Sequence, residues 1–99
     1  MIRILDCEIA GLHHHVMKDH IRSMEEGDAV DLVREPVNKH DSNAIRVDDG
    51  QTGEKLGYVP SSIARVLAPL IDGGYRVVAF IEEKVDYEVY IEILFESKK

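Results

Sequence analysis

Alternation of apolar and polar positions is clearest toward the C-terminus. There Tyr87, Val89, Ile91, Ile93 and Phe95 share one side of an extended chain, and Glu88, Tyr90, Glu92 and Glu96 share the other. A period of two held over that length is a half-buried strand. Residues 75–83 read as a second long strand, joined to 86–96 by a tight connection through Lys84 and Val85. At the other end Ile2 and Ile4, then Leu5, Cys7 and Ile9, alternate with Arg3, Asp6 and Glu8, a first strand whose register slips once. Gly11 ends it. Met17, Ile21 and Met24 then recur at helical spacing and predict a short amphipathic helix over 16–26, closed by Gly27-Asp28, before a second strand at 29–34.

The middle of the chain continues the pattern. Residues 43–47 and 54–59 are two short strands joined by Asp48-Asp49-Gly50-Gln51-Thr52-Gly53, a hairpin with an irregular, glycine-containing tip. Pro60-Ser61-Ser62 offers helix-start chemistry, a serine hydroxyl being able to cap free backbone donors. Ile63, Val66, Leu67, Leu70 and Ile71 then lay one apolar stripe along a helix at 61–71. Pro69 has no N–H to give back to Arg65, so a kink or an end is expected near Ala68. Six strands and two short helices in one small domain, 1–96, point to a mainly β (α+β) fold, with Ser97-Lys98-Lys99 as a frayed tail.

Between the second and third strands lies the stretch around which the rest is arranged, Arg34-Glu35-Pro36-Val37-Asn38-Lys39-His40-Asp41-Ser42-Asn43-Ala44-Ile45-Arg46-Val47. Pro36 cannot donate to a ladder, and Asn38, Asp41, Ser42 and Asn43 bond readily to neighbouring backbone. A polar loop that shapes itself, hung between two anchored strands, is a common way to present a binding site.

Composition narrows the setting. Ninety-nine residues support one modest core, and no apolar run approaches a membrane span. The start is too soon interrupted by charge for a signal peptide, and a single cysteine permits no internal disulfide; both fit a cytoplasmic chain with Cys7 as a core residue. The net charge of -7 argues against a broad phosphate-binding surface. The carboxylates concentrate elsewhere, at Glu82, Glu83, Asp86, Glu88, Glu92 and Glu96 and at Glu25, Glu26, Asp28 and Asp31, whereas the loop carries Arg34, Lys39 and Arg46. A locally positive pocket remains compatible with an acidic protein.

The string REPVNKHDSNAIRV, followed by Glu54-Lys55-Leu56-Gly57-Tyr58-Val59-Pro60 and by Ile63-Ala64-Arg65-Val66-Leu67-Ala68-Pro69-Leu70, with Gly11-Leu12 upstream, resembles the HIRAN domain in its stand-alone bacterial or phage form. The resemblance implies a small six-stranded β-barrel related to the OB type. It also implies binding of the 3′-hydroxyl end of single-stranded DNA, in repair or processing, beside a partner helicase or nuclease. On that pattern Asp41 accepts a hydrogen bond from the terminal 3′-hydroxyl, and Asn38 shapes the same pocket. His14 and His40 stand where base-stacking aromatic residues occur, His13 where an arginine touches phosphate, Tyr58 where a phosphate-side polar residue is usual, and Ser61 where a lysine is expected. With that lysine missing, Arg34 and Arg46 are the candidate replacements, and weak, salt-sensitive binding is expected.

Other readings of the same residues stay open. Asp41 and Asn38 also suit plain turn-making, through an Asx-turn onto the following N–H groups. His13, His14, His15, His20 and His40 are potential metal ligands with Asp19 or Asp41, and on an extended chain His13 and His15 would share a face. No metal-site spacing such as HExxH is present, and no metal or other cofactor is expected. Ser42, His40 and Asp41 are too close on one turn to converge as a triad, so the chain reads as a binding module rather than an enzyme. The alternative function is a protein-interaction module that keeps the fold and docks through its acidic strand face or a free sheet edge.

Overall fold

The computed structural model describes residues 2–96. Met1 and the tail Ser97-Lys98-Lys99 lie outside the described residues, as do the side chains of Arg3 and Ile4. Strands β1 (Ile2–Glu8), β2 (Ala29–Arg34), β3 (Ile45–Asp49), β4 (Lys55–Tyr58), β5 (Arg76–Val85) and β6 (Glu88–Glu96) form one antiparallel sheet in the order β1-β6-β5-β2-β3-β4. The sheet curls until its two ends meet. Just past β1, the Ala10 N–H donates to the Tyr58 carbonyl at 2.8 Å and the Tyr58 N–H returns a bond to Ala10 at 2.9 Å. The result is a small barrel whose seam lies between Ala10 and the end of β4.

Gly57 makes that seam possible. A Cβ there would sit 2.3 Å from the Ala10 carbonyl oxygen and 2.8 Å from Ile9 Cγ2, distances no side chain tolerates. Inside, Ile9, Ile45, Val47, Leu56, Val89, Ile91 and Ile93 are buried, as the alternation of each strand requires. The register slip in β1 falls between Arg3 and Leu5, where the change of phase predicts it. Cys7 is a core residue, and burial, helped by Asp6, pushes its thiol up to about 11, which keeps it protonated and unreactive.

Two helices complete the fold: α1 (Lys18–Ser23) and α2 (Ser61–Asp72). The first is far shorter than the expected 16–26. A 3₁₀ turn at Leu12–His14 precedes it, Ile21 and Met24 are buried, and Met17 is 79% exposed, so only part of the apolar period is used. α2 runs through Pro69 without ending. The loss is one bond to Arg65 near the last turn, and Leu67 and Ala68 on the core side, with Leu70 and Ile71 half-buried, hold the helix beyond it. No serine side chain caps its start, and Val66 points outward while Ala64 takes the buried position. The β5–β6 connection is Asp86-Tyr87, two residues later than the expected Lys84-Val85. Val85 still pairs with Glu88, and Asp86 takes the left-handed φ of 55° that so tight a turn needs.

Candidate nucleic-acid interface

The loop after β2 shapes itself through its own side chains. Asn38 Oδ1 accepts from the N–H groups of His40 (2.8 Å) and Asp41 (3.1 Å), and Asp41 Oδ1 accepts from the Asn43 N–H at 2.8 Å. The Asx-turn reading of both residues therefore holds. A carboxylate has two oxygens, however, and no hydrogen bond among the described residues falls on Asp41 Oδ2, which leaves acceptor capacity for a ligand. The turn-making and ligand-binding roles are compatible.

Glu35 anchors this loop to the barrel. Its Oε1 accepts from Asn38 Nδ2 at 2.9 Å and from the Tyr58 hydroxyl at 2.8 Å, and its Oε2 accepts from Arg46 Nη1 at 3.0 Å. The bond from Asn38, with those from Tyr58 and Arg46, outweighs burial and holds the Glu35 carboxyl below its ordinary range. Arg46 is fixed in turn by two bonds to Asp48, at 2.8 and 3.0 Å, so it is half-buried structure rather than a loose surface cation. Arg34 is tied up similarly. It donates to both Asp72 oxygens, at 2.9 and 3.1 Å, and to the carbonyls of Ala44 and Ser42, stapling the loop to the end of α2.

With the loop so held, an open cleft of about 550 Å³ forms between it and the barrel seam. Asn38, His40, Asp41 and Ala44 of the loop line it together with Lys55 and Tyr58 of β4, His15 and Ser61. Ser61 opens α2, whose first N–H groups have no side-chain cap and so add a weak positive field there. Of the residues singled out from the sequence, Asn38, His40, Asp41, Tyr58 and Ser61 meet in this cleft. His13 and His14 do not. They line a neighbouring groove with Glu8, Gly11, Pro60 and Glu88, and the two spaces share Ala10. The 3₁₀ turn is the reason: the chain at 12–14 is not extended, so the alternation that put His13 beside His15 does not apply. Arg34 lies outside both spaces.

Two cleft residues were not among the candidate DNA contacts read from the sequence, where His15 figured only as a potential metal ligand. His15 meets Tyr58 edge-on, with ring centroids 6.1 Å apart, and burial, then Lys55 and His14, lower its pKa. Lys55 carries its ammonium 4.7 Å from the Tyr58 ring centroid. In a regular strand, residues three apart face opposite ways. The pairing of β3 with β4 shifts between Val47 and Asp48, however, and the extra residue this inserts at Leu56 returns Lys55 to the side of Tyr58. A bulge of this kind leaves no mark in the alternation of so short a strand.

Comparison with known proteins identifies the chain. The HIRAN domain family model matches residues 2–98. The chain belongs to the HIRAN family. Over 78 residues it is 38% identical to the putative SWI/SNF-related matrix-associated actin-dependent regulator of chromatin subfamily A member 3-like 1 of Arabidopsis thaliana, covering 79% of this chain and 8% of that protein. Over 91 residues it is 34% identical to a Fanconi-associated nuclease 1 homolog of Oryza sativa subsp. japonica, covering 85% of this chain and 9% of that one. This HIRAN domain thus spans less than a tenth of the length of either relative.

Solved structures agree on the fold. A protein from Lactobacillus plantarum superposes with a TM-score of 0.85 at 23% identity, over 95% of this chain and 93% of the other. The crystal structure of the HIRAN domain of human HLTF gives 0.78 at 21% identity, over 92% and 73%. The NMR structure of that HLTF domain in its DNA-bound conformation gives 0.67 at 20%, over 95% and 76%. The barrel is accordingly the OB-like fold that the sequence resemblance implies. Among the described residues no helix is long and apolar enough to cross a membrane.

Proposed function

We propose that this HIRAN domain binds DNA, that it takes the free 3′-hydroxyl end of a single strand into the Asp41 cleft, and that it leaves chemistry to a partner enzyme. The observation that carries this reading is the cleft itself. A self-bonded loop sets Asn38, His40 and Asp41 opposite Tyr58 and Lys55, with one Asp41 oxygen spare. Support for the DNA part comes from a structural neighbour described in its DNA-bound conformation. The relatives described as a nuclease and as a chromatin regulator support a role beside such enzymes in DNA repair or processing.

A carboxylate in the cleft suits a hydroxyl because it only accepts hydrogen bonds. A terminal phosphate would add about 1.5 to 2 negative charges beside it. At about 5 Å that repulsion amounts to about 1 to 2 kcal/mol even at the dielectric of water, or about tenfold in affinity, and to more at a protein surface. His40 and Tyr58 supply ring surface for the terminal base, and stacking of this kind is worth about 1 to 3 kcal/mol per base. With few cations in the cleft, binding is weak and falls with salt.

Fluorescence anisotropy tests the proposal, using a short labelled single strand ending in 3′-hydroxyl or 3′-phosphate at low salt, with Asp41→Ala alongside. Binding of the hydroxyl end only, lost in the variant, is the expected result. No binding of either end at high micromolar protein would refute it and turn attention to a protein partner.

A further inference from the structure

The cleft holds a cation that does not come from the loop, and its position suits a phosphate. Ser61 occupies the place where the resemblance calls for a lysine, Arg34 is committed to Asp72 and two carbonyls, and Arg46 to Glu35 and Asp48. Among the described residues lining the cleft, Lys55 is the one lysine or arginine. It enters from β4 because of the bulge at Leu56, and its ammonium rests over the face of Tyr58 rather than against a carboxylate. A cation held only by a ring face is easily transferred to a stronger anion.

We infer that Lys55 is the phosphate contact of this cleft, binding the phosphodiester that joins the terminal nucleotide to the one before it while Asp41 takes the 3′-hydroxyl. This inference rests on the end-binding reading above. The charge comes from β4, and the bulge is the feature that delivers it. His15, beside it, is disfavoured as a cation by burial and by Lys55 itself, so the lysine carries the positive field at neutral pH. Before binding, the ammonium covers one face of Tyr58. As it moves to the phosphate it uncovers that ring for the base, so charge contact and stacking are coupled in one movement.

The test is the salt dependence of binding to a short single strand with a 3′-hydroxyl, for the wild-type chain, Lys55→Gln and Lys39→Gln. Lys39 lies exposed on the loop that carries Asp41 and outside the cleft, so its variant changes net charge equally without touching the contact. One phosphate contact to a single strand contributes about 0.7 to the slope of log affinity against log salt. Lys55→Gln is therefore expected to lower that slope by about 0.7 and to weaken binding about tenfold at about 20 mM salt. Lys39→Gln should leave the slope unchanged. An unchanged slope in Lys55→Gln, or equal losses in the two variants, overturns the inference while the end-binding reading stands. Failure of the wild-type chain to bind any 3′ end overturns both.

Discussion

The bond between the Tyr58 hydroxyl and Glu35 should be measurable as an energetic link between loop and barrel. Tyr58→Phe removes one oxygen, 2.8 Å from Glu35 Oε1, and leaves the ring in place. A hydrogen bond to a charged acceptor contributes about 1.5 to 3 kcal/mol. The Glu35 side chain keeps 21% of its surface, so solvent competes and the lower figure, about 1.5 kcal/mol, applies. Glu35→Gln does more damage. Its oxygen serves either Arg46 or the Asn38 and Tyr58 pair, and its amide then faces a donor on the other side, a loss of about 2 to 3 kcal/mol. Because the two residues share one bond, the double variant should be about 1 kcal/mol more stable than the sum of the single losses predicts. Urea unfolding of the four proteins measures this, and in a domain of this size 1 kcal/mol is about 4 to 8 °C in Tm. A coupling within about 0.3 kcal/mol of zero would refute the view that Glu35 braces the cleft through Tyr58.

Other consequences follow from the same geometry. Gly57→Ala forces a Cβ to 2.3 Å from the Ala10 carbonyl, so closure at the seam opens and stability falls by about 2 to 4 kcal/mol, read as a lower urea midpoint; a change under about 0.5 kcal/mol would show that the seam adapts. Arg34→Lys keeps the charge but loses the two-pronged grip on Asp72, costing about 1 to 2 kcal/mol and loosening residues 38–44 in amide exchange, with less effect on DNA affinity than Asp41→Ala; an equal effect would place Arg34 at the ligand. The carboxyls of Glu35 and Asp49 titrate below their ordinary values, Glu35 through Asn38, Tyr58 and Arg46, Asp49 because Gln51, His20 and Thr52 overcome its burial. A depressed folded pKa stabilises above the unfolded value and that stability is lost as pH falls through the folded one, so the urea midpoint should drop progressively below about pH 4.5. A midpoint as high at about pH 3 as at pH 7 would contradict these networks.

Much of this molecule was legible in its sequence because strands announce themselves by alternation. The pattern from Tyr87 to Phe95, the phase change between Ile4 and Leu5, and the glycines of the 48–53 tip all fix features that the barrel shows. The loop was legible too, since Asn38 and Asp41 are side chains that fold their own backbone. What the sequence concealed depends on meetings between distant residues. The helix at 16–26 shrank because the 3₁₀ turn at Leu12–His14 and burial of Ile21 and Met24 satisfied the core, leaving Met17 in solvent. Pro69 failed to stop α2 because packing of Leu67 and Ala68 outweighs one missing bond. Nor did the sequence show that Arg34 pairs with Asp72, 38 residues away. Glu35 gave no local sign of being the centre of a network, and Lys55 reached the cleft through a one-residue irregularity.

The central claim is that a DNA end occupies the space between residues 38–44 and the seam, and amide chemical-shift mapping tests it most directly. A ¹⁵N-labelled domain would be titrated with a short single strand ending in a 3′-hydroxyl. Shifts concentrated at Asn38–Ala44, Lys55–Ser61 and His15, and absent with a 3′-phosphate strand, are the predicted result. Shifts gathered instead on the outward positions of β1, β6 and β5, around Glu8, Glu88 and Tyr90, would contradict it.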